Sequence, residues 1–432
     1  MSTQTVHSNH IFHGLPQFPD HVQGLTAIIT GANGISGQYM LKVLTQSPKR
    51  WARIYCLSRR PPVVEGKLPD FVKHIPLDFL DEPNVIAKTL LDKNVKADYI
   101  FFFSYIQVKA EPGASIWANA EGLLCVNTLL LSNFLESLSL ASIKPRRIML
   151  QTGAKNYGLH LGPCVAPQEE SDARVLLEPN FYYSQEDLLW AYCKKHDIGW
   201  NVVRPAWILG AVPDAAMNLC FPLGVYAIVC KHLGQALDFP AGLESWESIH
   251  MQSSAMLNAY LEEWCVLTEA AKNEAFNASD GSPFTWGKLW PELASWYGID
   301  SNAPDTDATY YEYDTAHNPP PRGFGPVAKV RVKFSFVEWA KRPEVQQAWK
   351  ELGLKHGLVN SQLDDTDRIF GTADLAVRTP YSSYLSMLKA RKLGWHGFVD
   401  TTESILDVLS GFEQLRMLPP LLAEGGNGGM SP

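Results

Sequence analysis

The sequence has few charged residues, and no dense run of basic side chains occurs in it. Only 19% of the 432 residues are charged, and 37 basic residues against 45 acidic ones give a net charge of -8. Proteins that bind nucleic acid or phospholipid without specificity need clustered positive charge. The composition therefore argues against those partners, and we expect a small-molecule ligand.

The sequence also lacks paired cysteines and long apolar segments. Its seven cysteines are scattered without a C-x-x-C pair, a usage typical of reduced thiols, so neither disulfides nor a metal site is predicted. We find no run of about 18 apolar residues and no signal-peptide order at the N-terminus. These absences predict neither a membrane span nor secretion, and a cytoplasmic location is the default expectation.

Short apolar runs alternate with longer amphipathic stretches in the first half of the chain. Most of these runs are almost continuously apolar, as strands covered on both faces should be. Strand followed by helix, repeated this often, predicts a doubly wound parallel α/β sheet of the Rossmann type. The runs occupy residues 25–30, 53–58, 74–78, 98–106, 146–153 and 200–210.

The pattern changes near residue 213, where the chain becomes mixed, helical and rich in Trp, Tyr and Pro. We therefore predict a dinucleotide-binding Rossmann domain over residues 23–212. A smaller, mostly helical substrate lobe is expected over 213–418, with a possible return to the sheet near 273–280. The polar segment 1–22 and the Gly-rich segment 419–432 are predicted to be disordered tails.

The stretch TGANGISG, residues 30–37, follows the first predicted strand and opens the first helix. Its glycines, spaced G-x-x-G-x-x-G, allow a tight turn and a close approach of the backbone to a pyrophosphate. A turn that is Gly-rich by chance is the alternative, and the strand before it and the helix behind it argue against that. The cofactor-binding candidates here are Gly31, Asn33, Gly34, Ile35 and Gly37.

The end of the second strand indicates which dinucleotide would bind. It carries Ser58, Arg59 and Arg60, without the acid that holds the ribose hydroxyls of NAD. Two guanidinium groups and a hydroxyl suit a 2'-phosphate, so NADPH is favoured over NADH; a solvated basic turn is the alternative. Asp78 and Phe79, at the end of the third strand, are candidates for the adenine edge, although Asp78 could equally cap a helix.

The stretch NFYYSQED, residues 180–187, raises a chemical question. Short-chain dehydrogenases place a catalytic tyrosine four residues before a lysine, which is one helical turn, yet Glu186 stands four residues after Tyr182. The loop after the fifth strand, LQTGAKNYG, has Gly153 where the catalytic serine usually stands and Lys155 two residues later. We therefore predict that Lys155 supplies the missing cation beside Tyr182.

Several motifs in this order resemble the progesterone 5-beta-reductase and iridoid synthase family of atypical extended short-chain dehydrogenases. They are TGANGISG, SRRP, TGAKNYGLHLGP, NFYYSQED and MNLCFPLGVYAIVCKHLG, and the likeness runs from about residue 25 to 300. The resemblance implies that Tyr182 and Lys155 are the catalytic pair. It also implies NADPH-dependent 1,4-reduction of an activated C=C bond in an enone or enal, with Tyr182 donating a hydrogen bond to the carbonyl oxygen.

The resemblance extends to further cofactor and substrate positions. GLH at 158–160 is inserted, and Cys164 stands where plant relatives carry a pocket phenylalanine, so a reshaped pocket is expected and steroid or iridoid substrates are not carried over. Another pocket position falls near Phe370 or Thr372. The remaining cofactor candidates are Ser104, Thr152, Gly153, Tyr182, Pro205 and Ile208, and the substrate-lining candidates are Tyr105, Cys164, Met217 and Phe221.

Two other functions stay open at this point. A carbonyl reductase or alcohol dehydrogenase would use the same Tyr182 and Lys155. A redox-silent cyclase, isomerase or cofactor-sensing regulator would bind NADPH without consuming it, although such proteins commonly lose the tyrosine. Secondary metabolism is a possible setting, and a monomer and a homodimer are both compatible with the sequence.

Overall fold

A seven-stranded parallel sheet forms the centre of the protein. The computed structural model describes residues 5–64, 66–109, 116–215 and 217–422. The strands are β1 Val6–Asn9, β2 Phe12–Pro16, β3 Leu25–Thr30, β4 Trp51–Leu57, β5 Val72–Ile75, β6 Tyr99–Phe102, β7 Arg147–Gln151, β8 Gly199–Pro205, β9 Trp207–Leu209, β10 Leu237–Asp238, β11 Gln252–Ser254, β12 Glu274–Ala278, β13 Ser301–Asn302, β14 Tyr311–Asp314 and β15 Lys329–Val332.

The central sheet has the strand order β12-β8-β7-β6-β3-β4-β5. This is the doubly wound Rossmann arrangement, so the fold class predicted from the sequence is confirmed. The helices are α1 Ile35–Thr45, α2 Pro83–Asp92, α3 Ala120–Leu140, α4 Phe181–His196, α5 Cys220–His232, α6 Leu243–Glu247, α7 Ala255–Leu267, α8 Trp286–Tyr297, α9 Phe336–Ala340, α10 Pro343–His356, α11 Thr366–Arg378, α12 Leu388–Lys392 and α13 Thr401–Gln414, with short 3-10 helices at Ala154–Tyr157 and Glu269–Ala271.

Helices cover both faces of the sheet. One apolar core joins the sheet to α1 and α7, and a second joins it to α2, α3 and α4. All four residues of β6 are buried, which explains why the strands contain apolar runs without alternation. Both faces of the sheet are therefore covered, and its carboxyl ends are left to form a site.

The last strand of the sheet comes from far along the chain. In β12, Phe276 lies opposite Val203 of β8 in a parallel register. The chain has by then left the sheet to form β9, α5, α6, β11 and α7, so it returns within the segment 273–280 named above. The sheet is complete only when residues beyond 270 have joined it.

A third apolar core lies in the C-terminal helical part. It is built from α5, α8, α9, α10, α11 and α13, and its largest fully buried side chains include Trp286, Trp290 and Trp349. Trp246 packs against this core from a partly buried position. The tryptophans that are frequent in this part of the sequence therefore pack between its helices.

The N-terminal segment corrects one expectation, because residues 5–22 are ordered. Strands β1 and β2 form an antiparallel hairpin, and His13 exchanges backbone hydrogen bonds of 2.9 and 3.0 Å with Phe398. The side chain of Leu15 is fully buried. Phe398 lies outside the named strands and about 385 residues along the chain from His13, so local composition could not show the pairing. At the other end, Leu422 donates a backbone hydrogen bond to Trp296, and residues 423–432 lie outside the described residues.

Among the described residues, one helix is long and apolar enough to cross a membrane by length and composition alone. This is α3, Ala120–Leu140, with a mean hydropathy of 1.5. Half of the 18-residue apolar stretch of α3 is buried inside the protein, where α3 packs between α2 and α4. An apolar core helix of a globular protein passes the same test.

Candidate active site

A cavity of about 820 Å³ opens at the carboxyl ends of the central strands. Ligands of doubly wound sheets bind in this crevice. Its walls come from the glycine loop before α1, the segments following β6, β7 and β8, and one face of α11. The predicted site residues that line it are Gly31, Asn33, Gly34, Ile35, Gly37, Arg59, Arg60, Ser104, Tyr105, Thr152, Gly153, Lys155, Tyr182, Pro205, Ile208 and Met217.

The glycine loop is built for close approach of the backbone. Gly31 has a φ of +60°, and a β-carbon on it would lie 2.9 Å from the carbonyl oxygen of Phe103. A β-carbon on Gly37 would collide with the carbonyl of Gly31, so the start of α1 can pack this tightly only with glycine. No side chain caps α1 at Gly34. The first amides of α1 are thus available to a pyrophosphate, as the fold requires.

Arg59 and Arg60 project from the end of β4 and line the cavity. Arg60 forms an ion pair of 2.9 Å with Asp214, whereas Arg59 lies 3.9 Å from Asp78. Both guanidinium groups are largely exposed, with side-chain exposures of 63% and 69%. Both side chains are therefore accessible to an anionic ligand, and Asp214 engages Arg60 in the absence of one.

Three predicted cofactor residues do not line this cavity. The hydroxyl of Ser58 is turned inward and donates a 2.7 Å hydrogen bond to the carbonyl of Arg60, which fixes the turn. Asp78 accepts a hydrogen bond from the backbone amide of Leu80 and forms a local turn, whereas α2 begins after Glu82, so Asp78 does not cap that helix. Phe79 is buried in the second core of the sheet. Ser58, Asp78 and Phe79 thus lie outside the cavity lining, and their contact with the cofactor stays a prediction.

The start of α4 and the loop after β7 are tied together by two side chains. The side-chain oxygen of Asn180 caps α4 by accepting from the amide of Tyr182, and its amide nitrogen donates to the carbonyl of Lys155 at 3.2 Å. The hydroxyl of Tyr183 donates to the carbonyl of Asn156 at 2.6 Å. Asn180 and Tyr183 thus position the two predicted catalytic side chains. Sequence reasoning missed this role of Asn180, although its place before a helix start was a signal.

Tyr182 and Lys155 both line the cavity, where Lys155 is buried and Tyr182 is partly buried. Burial raises the pKa of the Tyr182 phenol. Burial also lowers the pKa of Lys155 to about 8, against an opposing effect of Glu178. Each group is therefore held in the form that can donate a hydrogen bond near neutral pH, the phenol fully and the ammonium in large part.

The predicted direct contact between Lys155 and Tyr182 is not formed as a hydrogen bond in the described part of the chain. The Lys155 ammonium instead lies 5.6 Å from the ring centre of Trp117 and 5.7 Å from that of Phe181. Aromatic faces attract cations over such distances. The Phe181 ring is itself 4.5 Å from that of Tyr182. Phe181 therefore neighbours both the cation and the ring of Tyr182.

Gly153 keeps the space next to the phenol clear. Its backbone is extended, and a β-carbon placed on it would lie 3.0 Å from the hydroxyl oxygen of Tyr182. Any side chain at this position would press on that hydroxyl. The loss of the usual serine is thus a steric feature of the site as well as a chemical one.

Further polar groups surround Lys155. His317 pairs with Glu178 at 3.0 Å, and the ring of His160 lies edge-on to Trp117 at 5.3 Å. Burial first, and then the charges of Lys155 and His317, lower the pKa of His160 well below its usual value. The Nδ1 atom of His160 is buried and has no hydrogen-bond partner. The inserted residues 158–160 are what bring this neutral imidazole into the cavity.

The wall opposite the glycine loop comes from α11. Arg368, Thr372, Leu375 and Thr379 recur at helical spacing and line the cavity. The side chain of Phe370 instead packs in the helical core. Of the two residues named above for this pocket position, Thr372 is therefore the one that lines the cavity. Buried polar atoms without partners on this side are Thr372 Oγ1, Arg378 Nε and His250 Nε2. A buried polar atom without a hydrogen-bond partner destabilises the fold unless a ligand or water supplies that partner.

Two predicted substrate-lining residues lie elsewhere. The thiol of Cys164 donates to the carbonyl of Tyr157 at 2.8 Å, and burial raises its pKa to about 12. Phe221, in the first turn of α5, packs on Phe412 and Trp349 in the helical core. These placements correct the expectation for both, because an apolar side chain beside a motif can face the core equally well. Tyr105 and Met217 do line the cavity.

Glu186 forms ion pairs inside the fold. It is fully buried and pairs with Arg204 at 2.9 Å and with Arg174 at 3.2 Å. Arg204 precedes Pro205, which lines the cavity. The acid that stands in the usual lysine position therefore anchors the end of β8 to α4.

Comparison with known proteins supports this picture. A family model described as a PRISE-like Rossmann-fold domain matches residues 27–315. The short chain dehydrogenase gsfE of Penicillium aethiopicum is 30% identical over 91% of this chain and 99% of its own length. The (S)-8-oxocitronellyl enol synthase of Catharanthus roseus is 29% identical over 91% of this chain and 92% of its own length. The 3-oxo-Delta(4,5)-steroid 5-beta-reductase of Arabidopsis thaliana is 27% identical over 91% and 93%.

Solved structures support the fold alone. The UDP-glucose 4-epimerase of Thermotoga maritima superposes with a TM-score of 0.55 at 15% identity, over 90% of this chain and 99% of that one. WbmG of Bordetella bronchiseptica, solved in complex with NAD, gives a TM-score of 0.54 at 13% identity, over 91% and 96%. These similarities support the Rossmann architecture.

Proposed function

This chain belongs to the PRISE-like Rossmann-fold family of short-chain dehydrogenases/reductases, and we propose that it reduces the activated C=C bond of an enone or enal with NADPH. The observation that carries the proposal is the arrangement at the head of α4. A partly buried phenol, Tyr182, shares a cavity with the amine of Lys155, and Gly153 leaves the space beside the phenol clear. Relatives named as a steroid 5-beta-reductase and an enol synthase support this chemistry.

Two parts of the cavity lining suit a phosphorylated dinucleotide. Gly31, Gly34 and the amides of α1 would hold the pyrophosphate, and Arg59 and Arg60 would meet a 2'-phosphate. Basic groups without a competing acid at the end of β4 favour NADPH over NADH. When bound, the cofactor supplies a hydride to the β-carbon of the substrate.

Tyr182 acts in this proposal as a hydrogen-bond donor to the carbonyl oxygen of the substrate. Negative charge gathers on that oxygen as the double bond is reduced, so a donor already in place lowers the barrier. Because burial raises the pKa of the phenol, Tyr182 keeps its proton at neutral pH. Loss of one such donor typically lowers kcat by about 100-fold to 1000-fold.

Lys155 adds positive potential and holds no fixed salt bridge within the described residues. Its pKa of about 8 leaves most of the ammonium protonated at neutral pH. In a site that excludes water, a cation acts over several ångströms with an energy of a few kcal/mol. Lys155 can therefore assist the developing charge without touching the phenol.

The shape of the cavity supports a flat, partly polar substrate. Trp117 and Trp207 stack at 5.6 Å with an angle of 15° between their planes, and both line the cavity with Tyr105. The unpaired polar atoms of Thr372 and His250 on the opposite side would suit a second oxygen function on the substrate. A secondary metabolite with a conjugated carbonyl has these properties.

The test is to follow NADPH absorbance against a panel of enals, enones and ketones and to identify the products. Reduction of C=C bonds is expected, and Tyr182→Phe should lower turnover by about 100-fold. Tyr192→Phe is the matched control, because this tyrosine of the same helix contacts Ser139 outside the cavity. Products reduced only at C=O would select the carbonyl reductase. Full turnover in Tyr182→Phe would reject the mechanism.

The remaining expectations are part of the same proposal. We expect a small molecule as the only partner, neither nucleic acid nor membrane, and a cytoplasmic monomer or homodimer. These stay predictions.

A further inference from the structure

Asp214 lies between two guanidinium groups at the edge of the cavity. One of its carboxylate oxygens accepts from Arg60 at 2.9 Å, and the other accepts from Arg368. Arg368 also donates to the carbonyl of Ala215 at 2.9 Å. All four residues line the cavity. One carboxylate thus holds two arginines around a common point.

The three charged residues come from different parts of the fold. Arg60 follows β4 of the sheet, Asp214 follows β9, and Arg368 lies in the first turn of α11 in the helical part. Each arginine is 154 residues from the aspartate in sequence. The cluster therefore joins the predicted 2'-phosphate position to the C-terminal helices.

This cluster contributes little to the stability of the fold. The side chains of Arg60, Asp214 and Arg368 are 69%, 44% and 46% exposed. Ion pairs this exposed contribute about 0–1 kcal/mol, because water screens them and two long side chains must be ordered. Burial by itself raises the pKa of Asp214, but the hydrogen bonds and charges of Arg368 and Arg60 outweigh burial and lower the pKa below its usual value, so the carboxylate remains ionised. Because these three charged side chains contribute so little to stability, a ligand can rearrange them at little cost.

We propose that Arg368 is a third arginine ligand of the cofactor's 2'-phosphate, and that the Asp214 carboxylate occupies the phosphate position until the cofactor binds. The inference rests on the proposed use of NADPH. Carboxylate and phosphate accept the same forked hydrogen bonds from guanidinium groups. A phosphate monoester carries more negative charge than a carboxylate, so it displaces Asp214 from the two arginines.

The sheet and the C-terminal helical part would then both contribute to the selectivity between NADP and NAD. NAD has no 2'-phosphate and leaves the Asp214 pairs intact. NADP gains a ligand from α11 in addition to Arg59 and Arg60, so selectivity depends on a residue of the helical part. Sequence reasoning could not find Arg368, because more than 300 residues separate it from the SRRP motif.

The experiment measures binding without substrate. Dissociation constants of NADP+ and NAD+ are determined by titration calorimetry for the wild type, Arg368→Gln and Arg368→Lys. We expect Arg368→Gln to weaken NADP+ by about tenfold or more and NAD+ by less than about twofold, since the lost hydrogen bonds are charge-assisted and specific to phosphate. Arg368→Lys should recover only part of the loss, because lysine keeps the charge without the fork.

The matched control is Arg331→Gln. Arg331 is 41% exposed, pairs with Glu244 and Glu312, and lies outside the cavity. The substitution therefore removes one positive charge from the same part of the protein. Equal weakening of both cofactors in Arg368→Gln, or no weakening of either, would overturn the inference while NADPH use survives. A wild type that binds NAD+ as tightly as NADP+ would overturn both.

Discussion

The side-chain amide of Asn180 donates a hydrogen bond of 3.2 Å to the carbonyl oxygen of Lys155. This bond joins the residue before α4 to the loop after β7. The two proposed catalytic side chains are therefore positioned by one neighbour that touches neither the phenol nor the amine. A site can lose the usual tyrosine–lysine spacing and still hold both groups if a third residue fixes their backbones.

The first prediction separates this tie from helix capping. Asn180→Ser keeps a capping oxygen for the Tyr182 amide but is too short to reach Lys155, whereas Asn180→Ala loses both interactions. We expect both variants to lower kcat by about tenfold or more, because the catalytic groups are misplaced. Asn180→Ala should lose about 1 kcal/mol more unfolding free energy than Asn180→Ser, because it alone removes the cap. Steady-state kinetics and urea unfolding measure the two effects, and full turnover in Asn180→Ser would disprove the positioning role.

The second prediction concerns the pH dependence of turnover. Burial lowers the pKa of Lys155 to about 8, and Glu178 opposes this effect. The ammonium is present below that pH, so kcat should fall as the pH rises through about 8. Lys155→Met should have a lower kcat that no longer changes in this range. Glu178→Gln removes the opposing charge and should move the fall in kcat to lower pH.

The third prediction concerns the buried ion pair of Glu186. Glu186→Gln removes the charge that compensates Arg204, which is only 6% exposed. An uncompensated buried charge typically costs about 3–5 kcal/mol of stability. Asp187→Asn is the control, because Asp187 is 59% exposed in its pair with Arg174 and should cost no more than about 1 kcal/mol. Denaturant unfolding compares the two variants, and equal effects would contradict this account.

The fourth prediction concerns Asp280, a buried carboxyl behind β12. Burial raises its pKa to about 7, against hydrogen bonds from Ser254 and Thr401 and with a further rise from Asp400. The Thr401 hydroxyl lies 2.8 Å from the carbonyl of Ser282 and 3.1 Å from Asp280. It has one proton to donate, so a protonated Asp280 can donate to it in turn.

The sign of this effect follows from proton binding. The folded protein keeps the Asp280 proton up to about pH 7, whereas the unfolded chain releases it near 3.8. Stability is therefore highest below the unfolded pKa and falls as the pH rises toward 7, by up to about 4 kcal/mol. Asp280→Asn can reproduce the protonated form and should remove most of this slope. Unfolding at a series of pH values checks it.

Local sequence patterns were sufficient for the sheet and the glycine loop. The apolar strands and the glycine spacing are short-range signals, and both match the structure. Contacts between segments far apart in the chain could not be predicted from such short-range signals. The hairpin that pairs with Phe398, the placement of Arg368 and the inward turn of Phe221 all depend on partners far along the chain. Composition fixes how apolar a segment is, and packing decides which way each side chain points.

The return of the chain to the sheet at β12 limits how the helical part can move. Within the described residues, the backbone passes from the sheet core to the helical core after β8, after β12 and again before α13, because residues 387–399 pack on the sheet core. A body attached at several separate points cannot rotate freely about any one of them. We therefore expect the cofactor groove to open by small displacements of its walls, without a free swing of the helical part.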